Sequence, residues 1–239
     1  MSTSLPAGVL RRTAVVNPSA VLAIVAVAQF MVVLDTTVVN VALPTIKVHL
    51  GFSEQSLSWI LNAYTLMFGG FLLLGGRAAD RLGRRRLFVA GITLFSGASL
   101  VCGLAQSEAM LLVSRGAQGL GGAMVSPAAL SIILTTFAEG PERNRALAVW
   151  GAVAGAGGAV GLLLGGVIVQ AIGWRWVFFI NAPIGAAVVA PVHLRVVRLL
   201  PAVPARGGRR RDRGCPRRLR ACSGWPPAAS GPLAGWESR

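Results

Sequence analysis

Two ionisable residues of opposite charge lie inside otherwise apolar stretches of the sequence. Asp35 stands in the run Leu34–Pro44, and Arg115 stands in the run Leu111–Gly119. A bare carboxylate in hydrocarbon is costly, so such a residue usually faces a cavity or a partner. The pattern predicts a proton-carrying carboxylate, Asp35, whose charge is sensed by Arg115. The alternative is a static ion pair that joins two helices.

Helical rise places these two side chains at similar depth. At about 1.5 Å per residue, Asp35 lies roughly 12 Å below the end of its apolar stretch. Arg115 lies roughly 9 Å below the beginning of its own stretch. If both ends face the same side of a membrane, we expect the two side chains to meet.

The composition indicates what surrounds them. Of the 239 residues, 54% are hydrophobic and 13% are charged, whereas a soluble domain carries roughly 25% charged residues. The mean hydropathy is +0.66. These figures exclude a disordered chain and indicate lipid as the main solvent, hence a multi-pass protein of the cell membrane.

Six stretches are long enough to cross a bilayer core, which needs about 20 apolar residues per helix. They are 20–43, 57–76, 87–106, 109–137, 146–172 and 176–194. We therefore expect an all-α bundle of six transmembrane helices over 20–194, preceded by a cytoplasmic N-terminus at 1–19. Loop charges support this orientation. One side holds nine arginines and the other holds only Lys47 and Arg175; the nine are Arg11, Arg12, Arg77, Arg81, Arg84, Arg85, Arg86, Arg143 and Arg145.

The last part of the chain has a different composition. Residues 191–239 contain 11 basic and 2 acidic residues and 7 of the 13 prolines. No helical or strand period survives there. We expect the tail at 195–239 to be disordered or an out-of-frame product. A cytoplasmic tail that binds anionic lipid is the alternative, and nucleic-acid binding is disfavoured because no binding fold accompanies the charge.

Glycines mark a packing surface and an internal repeat. Gly157, Gly161 and Gly165 are four residues apart, and Gly166 follows, so a neighbouring helix can approach this strip closely. The segment 75–88 can also be laid on 165–178 with a constant offset of 90 residues. The two segments join helices on opposite sides of the membrane, which predicts two inverted three-helix repeats.

A short segment between the second and third stretches is densely charged. It contains Gly76, Asp80, Arg81, Gly83 and Arg84. Its arginines can meet anionic lipid head groups and fix the topology. Asp80 is placed to accept hydrogen bonds from nearby arginines or from the start of the next helix.

These motifs resemble those of the major facilitator superfamily. The charged segment is similar to that family's G-x-x-x-D-R-x-G-R-R signature between helices 2 and 3. The runs 34–44, 111–122, 151–166 and 174–183 resemble the motifs of helices 1, 4, 5 and 6 in its fourteen-span drug:proton antiporter branch. The resemblance covers about residues 20–190, in order. It implies the N-terminal half of a major facilitator transporter.

The resemblance also implies a function. It implies proton-driven efflux of drug-like or secondary-metabolite compounds, with Asp35 and Arg115 near the coupling site. The substrate would be a lipophilic or cationic small molecule, although its binding residues cannot be assigned. Two features depart from the family. Gly161-Leu162 stands where the helix 5 motif normally has Gly-Pro, and family members continue through further helices, so we expect a truncated form that needs a second half-transporter or a homodimer.

Other classes of function find little support. No nucleophile–base set, metal cluster or cofactor loop is present, so we expect neither an enzyme nor a cofactor or metal site. The pattern G-x-G-x-x-G fails at Val160, and Cys215 and Cys222 lack a nearby histidine for zinc. The remaining alternative is a non-transporting membrane interaction module, or an inactive fragment, that assembles through the glycine strip.

Overall fold

The computed structural model describes residues 17–194, and these are helical with no strand. Most of the predicted N-terminal segment and the whole tail at 195–239 lie outside the described residues. The helices are α1 (Pro18–Leu50), α2 (Glu54–Leu57), α3 (Trp59–Leu82), α4 (Arg84–Gly103), α5 (Glu108–Thr136), α6 (Pro141–Ala171), α7 (Arg175–Phe179) and α8 (Asn181–Leu194).

The helices begin and end at residues suited to those positions. The side chain of Asn17 caps α1 by accepting a hydrogen bond from the Ser19 amide, 3.1 Å away. Ser107 caps α5 in the same way, through the Met110 amide at 3.3 Å. Gly51 ends α1 in the left-handed conformation, with φ of 74°, which glycine adopts without steric cost.

Within residues 17–194, five helical segments are long and apolar enough to cross a membrane. They are α1, α2 with α3, α4, α5 and α6, and they confirm the first five predicted spans. The predicted sixth span corresponds to α7 and α8, which are separated by the single residue Ile180. Ile180 keeps right-handed helical angles, φ −61° and ψ −26°, and Pro183 has no amide N–H to donate to the preceding turn.

Helix α5 lies at the centre of the bundle and packs closely on α3 and α4. Two glycines allow these approaches. A Cβ at Gly119 would collide with the backbone oxygen of Tyr64 on α3, and one at Gly121 would lie 2.7 Å from the backbone nitrogen of Phe95 on α4. Larger residues at these two positions would push α5 away from both neighbours.

The predicted glycine strip on α6 packs against α1. Cβ atoms at Gly157 and Gly165 would lie 3.3 Å from Val33 Cβ and 3.2 Å from Val38 Cα. Gly161, between them, contacts the Thr37 side chain. Gly166 does not share the contact, since no atom lies within 4 Å of its Cβ position. The strip is therefore occupied by α1 within the chain, as close helix packing predicts.

The two segments related by the 90-residue offset have similar environments. Gly83 and Gly173 both adopt positive φ, 92° and 100°, and Phe88 and Phe178 are both buried. The offset also relates the α3–α5 contact to the α6–α1 contact, and both pairs are among the most closely packed in the bundle. These correspondences agree with the two predicted repeats.

The charged segment between α3 and α4 is mostly helical, which corrects the expectation of a loop. Helix α3 continues to Leu82 and α4 begins at Arg84, so Gly83 is the only residue between them. Arginine, alanine and leucine favour helix, which explains why the segment continues as helix. The turn itself depends on the positive φ of Gly83.

Two apolar clusters fill the bundle. One surrounds the first half of α1 and includes Met31 and Phe95. The other surrounds its second half and includes Val38 and Phe178. Asp35 lies between them on α1, so its buried polar partners form a layer between two hydrophobic cores.

Candidate functional site

Asp35 and Arg115 form an ion pair at the centre of the bundle. Arg115 Nη1 donates a hydrogen bond to Asp35 Oδ2 at 2.6 Å, and both side chains are fully buried. Asp35 comes from α1 and Arg115 from α5. The structure therefore brings together the two charges that the sequence placed at similar depth.

The second carboxylate oxygen of Asp35 is bound by two side-chain amides. Gln118 Nε2 and Asn181 Nδ2 each donate to Asp35 Oδ1 at 2.7 Å. Both amides also donate to Ser99 Oγ, at 3.2 and 2.9 Å. The carboxylate thus accepts three hydrogen bonds from three residues, on α5 and α8. Such donors stabilise its charged form in a site closed to water.

Arg115 makes further contacts that hold its guanidinium in place. Its Nε donates to the backbone oxygen of Ile60 at 3.3 Å, and its Nη1 also donates to Gln118 Oε1 at 2.8 Å. The guanidinium carbon lies 4.5 Å from the centre of the Tyr64 ring, a cation–π distance. The arginine is therefore fixed by α3 as well as by the carboxylate.

Helix geometry explains why these side chains converge. Arg115 and Gln118 are three residues apart on α5 and so share one face of the helix. Ser114 lies beside them and accepts a hydrogen bond from the Cys102 thiol at 3.1 Å. Asn181 is the first residue of α8, directly after Ile180. Its side chain reaches a carboxylate 146 positions earlier in the chain.

The two charges of the site compensate each other. One carboxylate and one guanidinium lie together in a region without exposed surface. Loss of either charge alone would leave the other buried and uncompensated, at a cost of several kcal/mol. The ion pair therefore ties α1 to α5 electrostatically.

The charged motif between α3 and α4 lies apart from this site. Arg84 Nη2 is 3.8 Å from Asp80 Oδ1, and Arg84 Nη1 donates to the backbone oxygen of Ser131 on α5 at 3.4 Å. Asp80 and Arg81 are exposed, and no atom lies within 4 Å of a Cβ at Gly76. The motif therefore ties the α3–α4 corner to α5 through Arg84.

Three site residues were not predicted from the sequence: Ser99, Gln118 and Asn181. All are uncharged, so a search for ionisable residues within apolar stretches overlooks them. A search for amides within apolar stretches could have found them, because burying a side-chain amide also costs free energy unless it has hydrogen-bond partners. Within the described residues, no group of three or more histidine, cysteine, aspartate or glutamate side chains could hold a metal ion.

Comparison with known proteins agrees with this architecture. The family model described as the Major Facilitator Superfamily matches residues 25–236. The puromycin resistance protein pur8 of Streptomyces alboniger is 47% identical over 203 residues, which cover 85% of this chain and 39% of that protein. The cephamycin export protein CmcT of Amycolatopsis lactamdurans is 50% identical over 162 residues, which cover 68% of this chain and 33% of that protein.

A solved structure gives the same result. A bacterial homologue of the human lysosomal transporter Spinster, inward-facing and occupied, superposes with a TM-score of 0.63 at 25% identity. The match covers 72% of this chain and 43% of that one. The chain thus spans less than half the length of each of these three proteins.

Proposed function

The chain belongs to the major facilitator superfamily, and on that premise we propose that it takes part in proton-coupled efflux of lipophilic or cationic small molecules. The observation that carries the proposal is the fully buried pair of Asp35 and Arg115. Ionisable residues inside membrane spans commonly serve ion pathways and proton relays. In this mechanism Asp35 takes up and releases the proton, while Arg115 couples its charge to the position of α5.

The relatives support the class of cargo. Proteins that share 47% and 50% of aligned residues with this chain are named for puromycin resistance and for cephamycin export. Another, 36% identical over 219 residues, is the methylenomycin A resistance protein of Bacillus subtilis. We infer that this chain belongs to an exporter of such secondary metabolites or drugs, and that it is a transporter component and not an enzyme.

We further infer that transport needs a second bundle. The apolar faces of α3 and α6 are largely uncovered, with Leu73 82% and Leu163 74% exposed. In a transporter built from two halves, the substrate site lies near the membrane midplane at their interface. A second half-transporter or a second copy of this chain would complete that site, and lipid would cover the remaining surface.

The proposed orientation places the N-terminus in the cytoplasm. The arginines around the α3–α4 corner would then lie at the inner surface, where anionic lipid head groups attract them. Arg84, bound to Ser131 of α5, would act with Gly76, Asp80 and Gly83 as a latch on that side. Arg81 is exposed at this corner and would face the head groups.

The test is puromycin/proton exchange in everted membrane vesicles, followed with a pH-sensitive dye. The 239-residue chain is produced alone and together with the C-terminal half of the Streptomyces alboniger relative. We expect puromycin to release protons from energised vesicles only when both halves are present. Asp35→Asn should abolish the release, because the amide cannot bind and deliver the proton.

The matched control is Asn40→Ala, a polar side chain on the same helix that is exposed and bonds only to its own turn. It should leave the exchange unchanged. Exchange at the unmodified rate by Asp35→Asn would overturn the proton role. Strong exchange by the purified chain as a monomer would overturn the need for a second bundle.

A further inference from the structure

The side-chain amide of Asn181 lies between the Asp35 carboxylate and the α7–α8 junction. Its Nδ2 uses both hydrogens, one on Asp35 Oδ1 at 2.7 Å and one on Ser99 Oγ at 2.9 Å. The Ser99 hydroxyl in turn donates to the backbone oxygen of Phe178 in α7 at 2.9 Å. A continuous chain of hydrogen bonds therefore runs from Asp35 to the backbone of α7.

The other atom of this amide is unsatisfied. Asn181 Oδ1 is buried and accepts no hydrogen bond from the described residues. A buried polar atom without a partner is uncommon and costs free energy. By contrast, Gln118, which holds the same two oxygens, has its Oε1 occupied by Arg115 at 2.8 Å. Of the two amides, only Asn181 has a free acceptor beside the carboxylate.

We propose that Asn181 is a positioning residue whose amide changes hydrogen-bond partners when the charge of Asp35 changes. This change of partners alters the contacts of the α7–α8 junction. The proposal rests on the proton-coupled function above, since it assigns the receiver of the same protonation event. It adds a second element to the response: α5 responds through Arg115, and the α7–α8 junction responds through Asn181.

The step involves one proton and no other covalent change. A proton taken up during the transport cycle binds Asp35 Oδ1, which then becomes a donor and can no longer accept two amide hydrogens. The Asn181 amide turns, its Oδ1 accepts the new O–H, and its Nδ2 leaves Ser99. The tie between α4 and the first residue of α8 is lost, and deprotonation restores it.

The charged and titratable groups around Asp35 come from three elements. Arg115 on α5 pairs with it directly, Tyr64 on α3 lies beside the guanidinium, and Cys102 on α4 donates to Ser114 and Gln118. Helix α8 contributes the neutral amide of Asn181. The proposal assigns the proton to Asp35 alone.

The first test is infrared difference spectroscopy of the purified 239-residue chain in lipid bilayers. The carbonyl band of the protonated carboxyl is followed against pH and assigned by its loss in Asp35→Asn. Asn181→Ala and Asn181→Ser should move the midpoint of this band by about one pH unit, because the hydrogen bond that they remove from the carboxylate is charge-assisted and stronger than the neutral bond that the turned amide makes. Asn40→Ala is the matched control and should leave the midpoint in place.

The second test needs no variant. The chain has five asparagines, and Asn181 alone follows an isoleucine. Labelling with ¹³C-isoleucine and ¹³C,¹⁵N-asparagine therefore identifies its backbone nitrogen in solid-state NMR spectra, and the asparagine carbons connect that nitrogen to the side-chain amide. Its side-chain amide signal should shift with pH at the midpoint of the carboxyl band. An amide signal that does not change with pH would overturn the proposal, even if the variants failed to fold.

The outcomes separate the two proposals. A carboxyl band that is lost in Asp35→Asn, but whose midpoint is the same in the Asn181 variants, overturns the role of Asn181 and leaves proton coupling intact. The absence of any pH-dependent band assigned to Asp35 overturns proton coupling itself, and the role of Asn181 with it.

Discussion

Replacing Gly161 by alanine should push α6 away from α1 and destabilise the bundle. The added Cβ would collide with Thr37 Oγ1 and would lie 2.8 Å from Thr37 Cβ and 3.3 Å from the backbone oxygen of Leu34. Rotation of the Thr37 side chain cannot remove the clash, because its Cβ is fixed to the backbone. Rotation would also break the bond from Thr37 Oγ1 to the Val33 oxygen at 2.7 Å.

The helices must therefore separate, and overpacking of this kind costs about 1–3 kcal/mol. Gly158→Ala is the matched control on the same helix, since no atom lies within 4 Å of its Cβ position. It should leave the free energy of unfolding unchanged or raise it by up to about 1 kcal/mol, since alanine favours helix over glycine. The measurement is titration of the purified chain from mild detergent into sodium dodecyl sulfate, followed by tryptophan fluorescence.

A double variant locates the effect. Thr37→Ala removes Oγ1 but keeps the Cβ, so it should recover only part of the loss in the Gly161→Ala background. The two changes should be non-additive, as expected for residues in contact. The reasoning would be refuted if Gly161→Ala unfolded like Gly158→Ala, or if the two changes added without any coupling.

Three further predictions follow from other contacts. Gly83→Ala should lower the free energy of unfolding by about 1–3 kcal/mol, because φ of 92° strains any residue with a Cβ. Gly76→Ala is the control and should not lower it, since the space around Gly76 is open. Thermal unfolding compares the two variants. Glu54→Gln should change the stability by less than about 1 kcal/mol in the same measurement, since its ion pair with Lys47 is largely exposed. Gln118→Leu should lower puromycin/proton exchange about tenfold or more by removing a donor to the Asp35 carboxylate, and unchanged exchange in complemented vesicles would contradict this.

The ion pair was accessible to sequence reasoning because charge in an apolar span is rare. Asp35 and Arg115 are the only two charges deep within the predicted spans, and helical rise placed them at the same level. Their meeting then required only that α1 and α5 be neighbours. The glycine strip could also be predicted, since a four-residue spacing marks one helix face. The helix that packs on that face could not be predicted.

The rest of the site depends on tertiary geometry. Asn181 reaches Asp35 because α8 packs beside α1, and neither that packing nor the rotation of α8 follows from hydropathy. Gln118 lies on the face of Arg115, but its amide carries no charge that would single it out. Hydropathy likewise could not show that the charged segment around Gly83 is two helix ends joined by one residue.

The single residue between α3 and α4 has a mechanical consequence. Gly83 offers two rotatable backbone bonds. The helices α3 and α4 can therefore rotate about these two bonds, but the distance between their ends cannot change. The equivalent corner between α6 and α7 has three residues, Ile172, Gly173 and Trp174, and therefore six such bonds. A change in the angle between α3 and α4 must therefore be absorbed at Gly83 alone, whereas at the second corner it can be shared among three residues.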